Sequence, residues 1–223
     1  MMQASPLSSA VLFHLGPIPI ARPVVTTWAI MLALAAGSRI ATRRLVLHPG
    51  LRQAAVESLI ETLRSEIQSI VRRDPGPFMP LLGTLFVFLA VSNLSGVVPG
   101  VQAPTGRIET PAALAAIVFM SVHYFGVRSQ GVRRYLASFA KPKLIMLPLN
   151  VVSEITRTFS LMVRLFGNVM SGEFVLALVV TLAGLFVPIP FMVLEILVGL
   201  IQAYIFTVLA TVFIGAALGG EPR

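Results

Sequence analysis

The chain has 223 residues, 56% of them hydrophobic and 12% charged, with a mean hydropathy of +0.88 and a net charge of +8. Soluble domains carry about 25% charged residues, so the composition excludes an ordinary soluble globule and predicts an all-α integral membrane protein, one membrane domain over residues 1–223. With no cysteine in the chain, disulfides, thiolate catalysis and cysteine metal sites are excluded, and His14, His48 and His123 have no ligand spacing.

Twelve of the 17 Lys/Arg residues fall in two clusters, seven arginines from Arg39 to Arg73 and five Lys/Arg from Arg128 to Lys143. Both clusters lie between apolar runs, the pattern of cytoplasmic loops. A basic membrane-surface patch is the alternative. Nucleic acid is not an expected partner, because no reader motif accompanies the charge.

Residues 1–20 contain Pro and Ser without helical caps, and no basic leader followed by a cleavage site is read there. The first predicted span is 21–41, with Trp28 near an interface and Arg39, Arg43 and Arg44 closing it on the cytoplasmic side. Residues 51–73 alternate apolar and charged positions at helical spacing and are too polar to span, so they predict an amphipathic cytoplasmic helix. It is either a connector lying on the membrane or a docking surface for a soluble partner. Asp74-Pro75-Gly76-Pro77 ends it. A second span is predicted at 78–98, with Ser92 and Asn93 as its buried polar residues, then an external Pro/Gly loop to 110. A third span is predicted at 111–127. Residues 144–218 form a hairpin of two spans, turning at Val187-Pro188-Ile189-Pro190. This gives about five spans, the N-terminus outside and the C-terminus cytoplasmic.

The hairpin holds five charges, Glu154, Arg157, Arg164, Glu173 and Glu195, and three amides, Asn150, Asn168 and Gln202. A guanidinium cannot be neutralised, and placing one in hydrocarbon costs about 2.5–3.5 kcal/mol on insertion scales. Buried polar groups in this number mark an ion path; a set of structural ion pairs is the competing reading. At about 100° per residue, Arg157, Arg164 and Asn168 share one stripe and Glu173 falls on the opposite face from Arg164. Glu195 and Gln202 share a stripe of the last helix with Gly199. The proline turn allows Glu173 and Glu195 to approach, and two carboxylates in low dielectric do not both ionise readily. The chemistry read from these residues is ion translocation by a titratable pair and a fixed cation. No catalytic triad, P-loop or metal site is visible, and no cofactor is implied.

At these residues the chain resembles subunit a of the F-type ATP synthase membrane sector. Arg164-Leu165-Phe166-Gly167-Asn168 with Gly172-Glu173 is similar to the family's signature, preceded by Pro148-Leu149-Asn150, Glu154 and Arg157. Gln202-Ala203-Tyr204-Ile205-Phe206 is similar to its last-helix motif, Ser92-Asn93-Leu94 through Pro99-Gly100 to its earlier span, and Pro104-Thr105 to its external loop. The resemblance covers about residues 76–215. It implies a long tilted hairpin against an oligomeric ring of c subunits. It also implies a b-type peripheral stalk and a soluble catalytic sector as partners, and the bacterial inner membrane as location. Arg164 then meets the ring carboxylates and separates two half-channels. Glu173, Glu195, Gln202, Asn168 and Asn93 line the ion path, with Glu154, Arg157 and Asn150 as supporting polar groups. The implied role is a non-catalytic channel subunit that couples proton flow to rotation, with sodium as the alternative ion.

The chain departs from the family pattern at Thr158, where many relatives have Pro, and at Glu173 with Glu195, where many pair an acid with a histidine. The Thr156-Arg157-Thr158-Phe159-Ser160 run resembles a divergent N-type branch, some members of which are suspected of using sodium. A free-standing secondary transporter is the reading from another class, but internal repeats and broken helices are not evident. A structural scaffold, with the charges as buried bridges, is the third.

Overall fold

The computed structural model describes residues 11–15, 18–43, 50–98, 101–139, 145–184 and 187–219. Arg44, His48, the Pro99-Gly100 end of the early loop, and Lys141 and Lys143 lie outside the described residues.

A short antiparallel hairpin, β1 (Val11–Leu15) and β2 (Ile18–Ala21), leads into an otherwise all-helical body. Helix α1 (Arg22–Thr42) stands at the edge and is mostly exposed. Helix α2 (Leu51–Val71) buries Leu63, Ile67 and Val71, the 3.6-residue stripe expected of an amphipathic helix. It ends on Arg72 in the left-handed region (φ 53), where the Arg72 N–H donates to Gln68 O at 2.8 Å, and Pro75 follows too closely for the helix to resume. Its buried stripe packs on α7 and α3, so it is tied to the bundle as well as amphipathic.

Helix α3 (Met79–Ser95) stops earlier than the predicted 98. Gly96, Val97 and Val98 wind on as tighter turns, each N–H reaching the carbonyl three residues back, ahead of a proline that has no N–H to contribute. At 17 residues α3 is the short member of the bundle; four other helices are long and apolar enough to cross a membrane. Helix α4 (Glu109–Gln130) extends the predicted third span at both ends. The predicted basic loop is partly helical: Gly131, at φ 80, turns the chain into α5 (Val132–Phe139). Tyr135 and Phe139 of α5 pack against His123 of α4, with ring centroids 5.9 and 6.3 Å away. A side chain at Gly126 would meet the Tyr135 ring.

The hairpin is α6 (Met146–Ala183) and α7 (Pro188–Ala217), of 38 and 30 residues. At about 1.5 Å per residue both exceed a hydrocarbon layer of about 30 Å, so they tilt or project beyond it. The core is Leu82, Leu85 and Leu89 of α3 against Phe206, Ala210 and Ile214 of α7, closed by α4 and by Leu161 and Leu165 of α6. Those two α6 residues are buried while most of that long helix faces outward.

The helix ends sort into two faces. Arg73 and Gln130 donate to the Gly219 and Ala217 carbonyls at 3.2 and 2.9 Å, satisfying the open end of α7 and gathering the ends of α2, α4 and α7 on the basic side. The 3-10 turn Pro104–Gly106 lies on the other side, against α6.

Candidate functional site

The two arginines on the outward stripe of α6 are answered differently. Arg157 lies 3.7 Å from Glu154, one helical turn back, and its guanidinium sits 5.7 Å from the Phe213 ring centre. Arg164 is exposed, and its side chain makes no ion pair or hydrogen bond among the described residues. Arg157 therefore carries its own counter-charge, and the uncompensated cation of the stripe is Arg164.

The carboxylates lie elsewhere, as the helical geometry predicts. Glu173 faces the 3-10 turn: the nearest atom to a methyl built on Gly106 would be Glu173 Oε1, at 2.7 Å. The Ala103 backbone and Arg107 both lie within electrostatic reach of the Glu173 carboxylate. Glu195 reaches from α7 over Gly172, where its Oε1 would be 2.7 Å from an added methyl. It is therefore beside Glu173, near enough to feel its charge. The glycine adjoining each carboxylate leaves the volume that the carboxylate occupies.

The amides link the helices between these acids. Asn168 Nδ2 donates to Gln202 Oε1 at 2.6 Å. Asn93 Nδ2 donates to Gly199 O at 2.8 Å, a close approach that the missing side chain eases, since a methyl there would be 3.0 Å from Asn93 Cβ. Thr105 Oγ1 donates to Asn93 Oδ1 at 2.8 Å. Three polar atoms have no hydrogen-bond partner among the described residues despite burial: Ser92 Oγ, Glu195 Oε2 and Gln202 Nε2. Orphaned polar atoms in an apolar bundle cost about 1–3 kcal/mol each and are expected where a path for ions or water runs.

Asn150, Glu154 and Arg157 form a second group on the basic side. Asn150 Nδ2 donates to Phe139 O at 2.8 Å, fastening α6 to α5. With Gln130, Tyr135 and Ser138 they line a cavity of about 330 Å³. Burial pushes the Tyr135 phenol above its ordinary pKa, and the Glu154 charge adds to that effect.

Sequence reasoning missed Thr105, Gly106 and Arg107, read only as an external loop. Spacing within helices carried no signal for them; Gly106 and Arg107 act on a helix 66 or more residues away in sequence.

Residues 24–215 match the family described as ATP synthase A chain. The chain is 70% identical to "ATP synthase subunit a 2" of a Bradyrhizobium species over 100% of both chains. It is 46% identical to "ATP synthase subunit a 2" of Pelobacter propionicus over 93% of this chain and 91% of that one. It is 41% identical to "ATP synthase subunit a" of Albidiferax ferrireducens over 99% and 96%. With the apolar helices and the polar hairpin on which these matches lie, the chain belongs to the ATP synthase A chain family, multi-pass membrane proteins of ion transport and ATP synthesis.

Proposed function

We propose that the chain is the stator half of a rotary ion motor, coupling proton flow to the turning of an oligomeric c-ring. The observation that carries this is the unanswered Arg164 on the outward stripe of α6, beside an Arg157 that is paired. A fixed cation in an apolar face needs a carboxylate, and one supplied by a neighbouring chain can arrive and leave. As each ring carboxylate meets Arg164 it is held deprotonated, having given up its ion, and the same charge blocks ions from leaking straight across.

Glu173, Glu195, Gln202, Asn168 and Asn93 form the external half-channel in this reading. The carboxylate pair takes up the ion, and the amides carry hydration inward along α7. The cavity at Asn150, Glu154 and Arg157 is the access from the basic face, which we assign to the cytoplasm on the positive-inside pattern. The N-terminus is then outside and the C-terminus cytoplasmic. A b-type peripheral stalk and the soluble catalytic sector complete the machine.

The test is ATP-driven pumping by the whole complex in proteoliposomes. Arg164→Ala abolishes coupled transport while assembly survives, and Arg164→Lys does not restore it, because Lys keeps the charge but loses the planar fork. Full pumping in Arg164→Ala would overturn the mechanism. Activity that requires sodium and persists with a protonophore would replace the proton by sodium.

A further inference from the structure

We infer that residues 103–106 are a clasp that positions the Glu173 carboxylate, with Gly106 as its fitting residue and Thr105 as its anchor. This rests on the reading of Glu173 as part of the ion path. Ala103, Pro104, Thr105 and Gly106 are all buried, although they belong to a connection between helices. Connections normally run over the surface because their backbone groups need water, so burial of this one has a structural purpose.

Two attachments account for it. On one side Gly106 lies directly against the Glu173 carboxylate, with the Ala103 backbone within its electrostatic reach. On the other, Thr105 donates to Asn93, which in turn donates to Gly199 O of α7. The clasp thus joins Glu173 of α6 to Asn93 of α3 and, through Asn93, to α7. The three nearest atoms to a Gly106 methyl are Oε1, Cδ and Oε2 of Glu173, at 2.7, 3.1 and 3.3 Å. They are the far end of a flexible side chain, so a methyl moves the carboxylate and leaves the fold alone. Gly106 has an ordinary negative φ, since positive values occur only at Gly131, Gly184 and Gly219 among the described glycines, so alanine meets no backbone strain there.

The experiment uses the assembled complex in proteoliposomes and reads ATP-driven pumping. Gly106→Ala is expected to assemble normally and to lower pumping about tenfold or more, since misplacing a reacting group by about 1 Å costs up to about a hundredfold. Glu173→Asp shortens the side chain by one bond of about 1.5 Å and is expected to restore pumping in the Gly106→Ala background, to within about threefold of Glu173→Asp alone. Thr105→Val is expected to slow pumping while Thr105→Ser retains it, the hydroxyl being the anchor. A Gly106→Ala complex that pumps like the parent, while Glu173→Gln is slow, overturns the clasp and leaves the path intact. Failure of Glu173→Asp to compensate, or failure of Gly106→Ala to assemble, also overturns it. Parental pumping by Glu173→Gln overturns the ion-path reading itself.

Discussion

Asn168 donates to Gln202 across the α6–α7 hairpin at 2.6 Å, one turn after Arg164, while Gln202, only 2% exposed, has no partner for its own amide nitrogen among the described residues. Without hydration of that nitrogen, a buried amide carries an unmet donor. The pair therefore does two things: it fixes the register of the two helices and leaves one donor free within the bundle. A double-mutant cycle of Asn168→Ala and Gln202→Ala should return a coupling energy of about 0.6–1.7 kcal/mol, the range of interhelical hydrogen bonds in membranes. Thermal melting of the purified complex measures it, and strictly additive effects would show that the two amides do not cooperate.

Glu173 and Glu195 come from different helices to one place. If they work as a titrating pair, replacing both by Gln should cut pumping by about a hundredfold or more, the scale on which positioned acids and bases act. Each single Gln variant should retain more than the double. Unchanged transport in the double variant would make the pair a structural feature of the hairpin.

Gly126 faces the ring of Tyr135, which a methyl would strike. Unlike the carboxylate at Gly106, an aromatic ring packed among Phe139 and His123 cannot swing aside. Gly126→Ala should therefore destabilise the α4–α5 corner by about 1–3 kcal/mol, read as a lower melting temperature. Tyr135→Leu in the same background should recover part of it.

Tyr135 also predicts an alkaline dependence. Its folded pKa is raised above the ordinary 10.0, through burial first and Glu154 second. Between 10.0 and that higher value the folded protein keeps a proton that the unfolded chain has lost. The contribution to stability is complete below 10.0 and declines as pH rises through the window. Alkaline unfolding of the complex, compared with Tyr135→Phe, checks the sign: the variant should lose stability less steeply in that range.

The sequence by itself determined the membrane class, the apolar helices, the amphipathic stripe of α2 and the hairpin. These follow from local composition and from the 3.6-residue period, which depend on neighbours in the chain. It also determined that Arg164 and Glu173 cannot meet, because both lie on one rigid helix and their angle is set by residue count. The Glu154–Arg157 pair, three residues apart on one helix, follows from spacing; the tertiary structure decided what else meets the two arginines. Arg157 finds Phe213 on α7 as well as Glu154 beside it, and Arg164 finds no partner among the described residues. It alone brought Thr105 to Asn93, Gly106 to Glu173 and Glu195 to Gly172. These contacts join different elements, and the fit of Gly106 to Glu173 and of Gly172 to Glu195 depends on the absence of a single methyl group, a quantity with no periodicity to read.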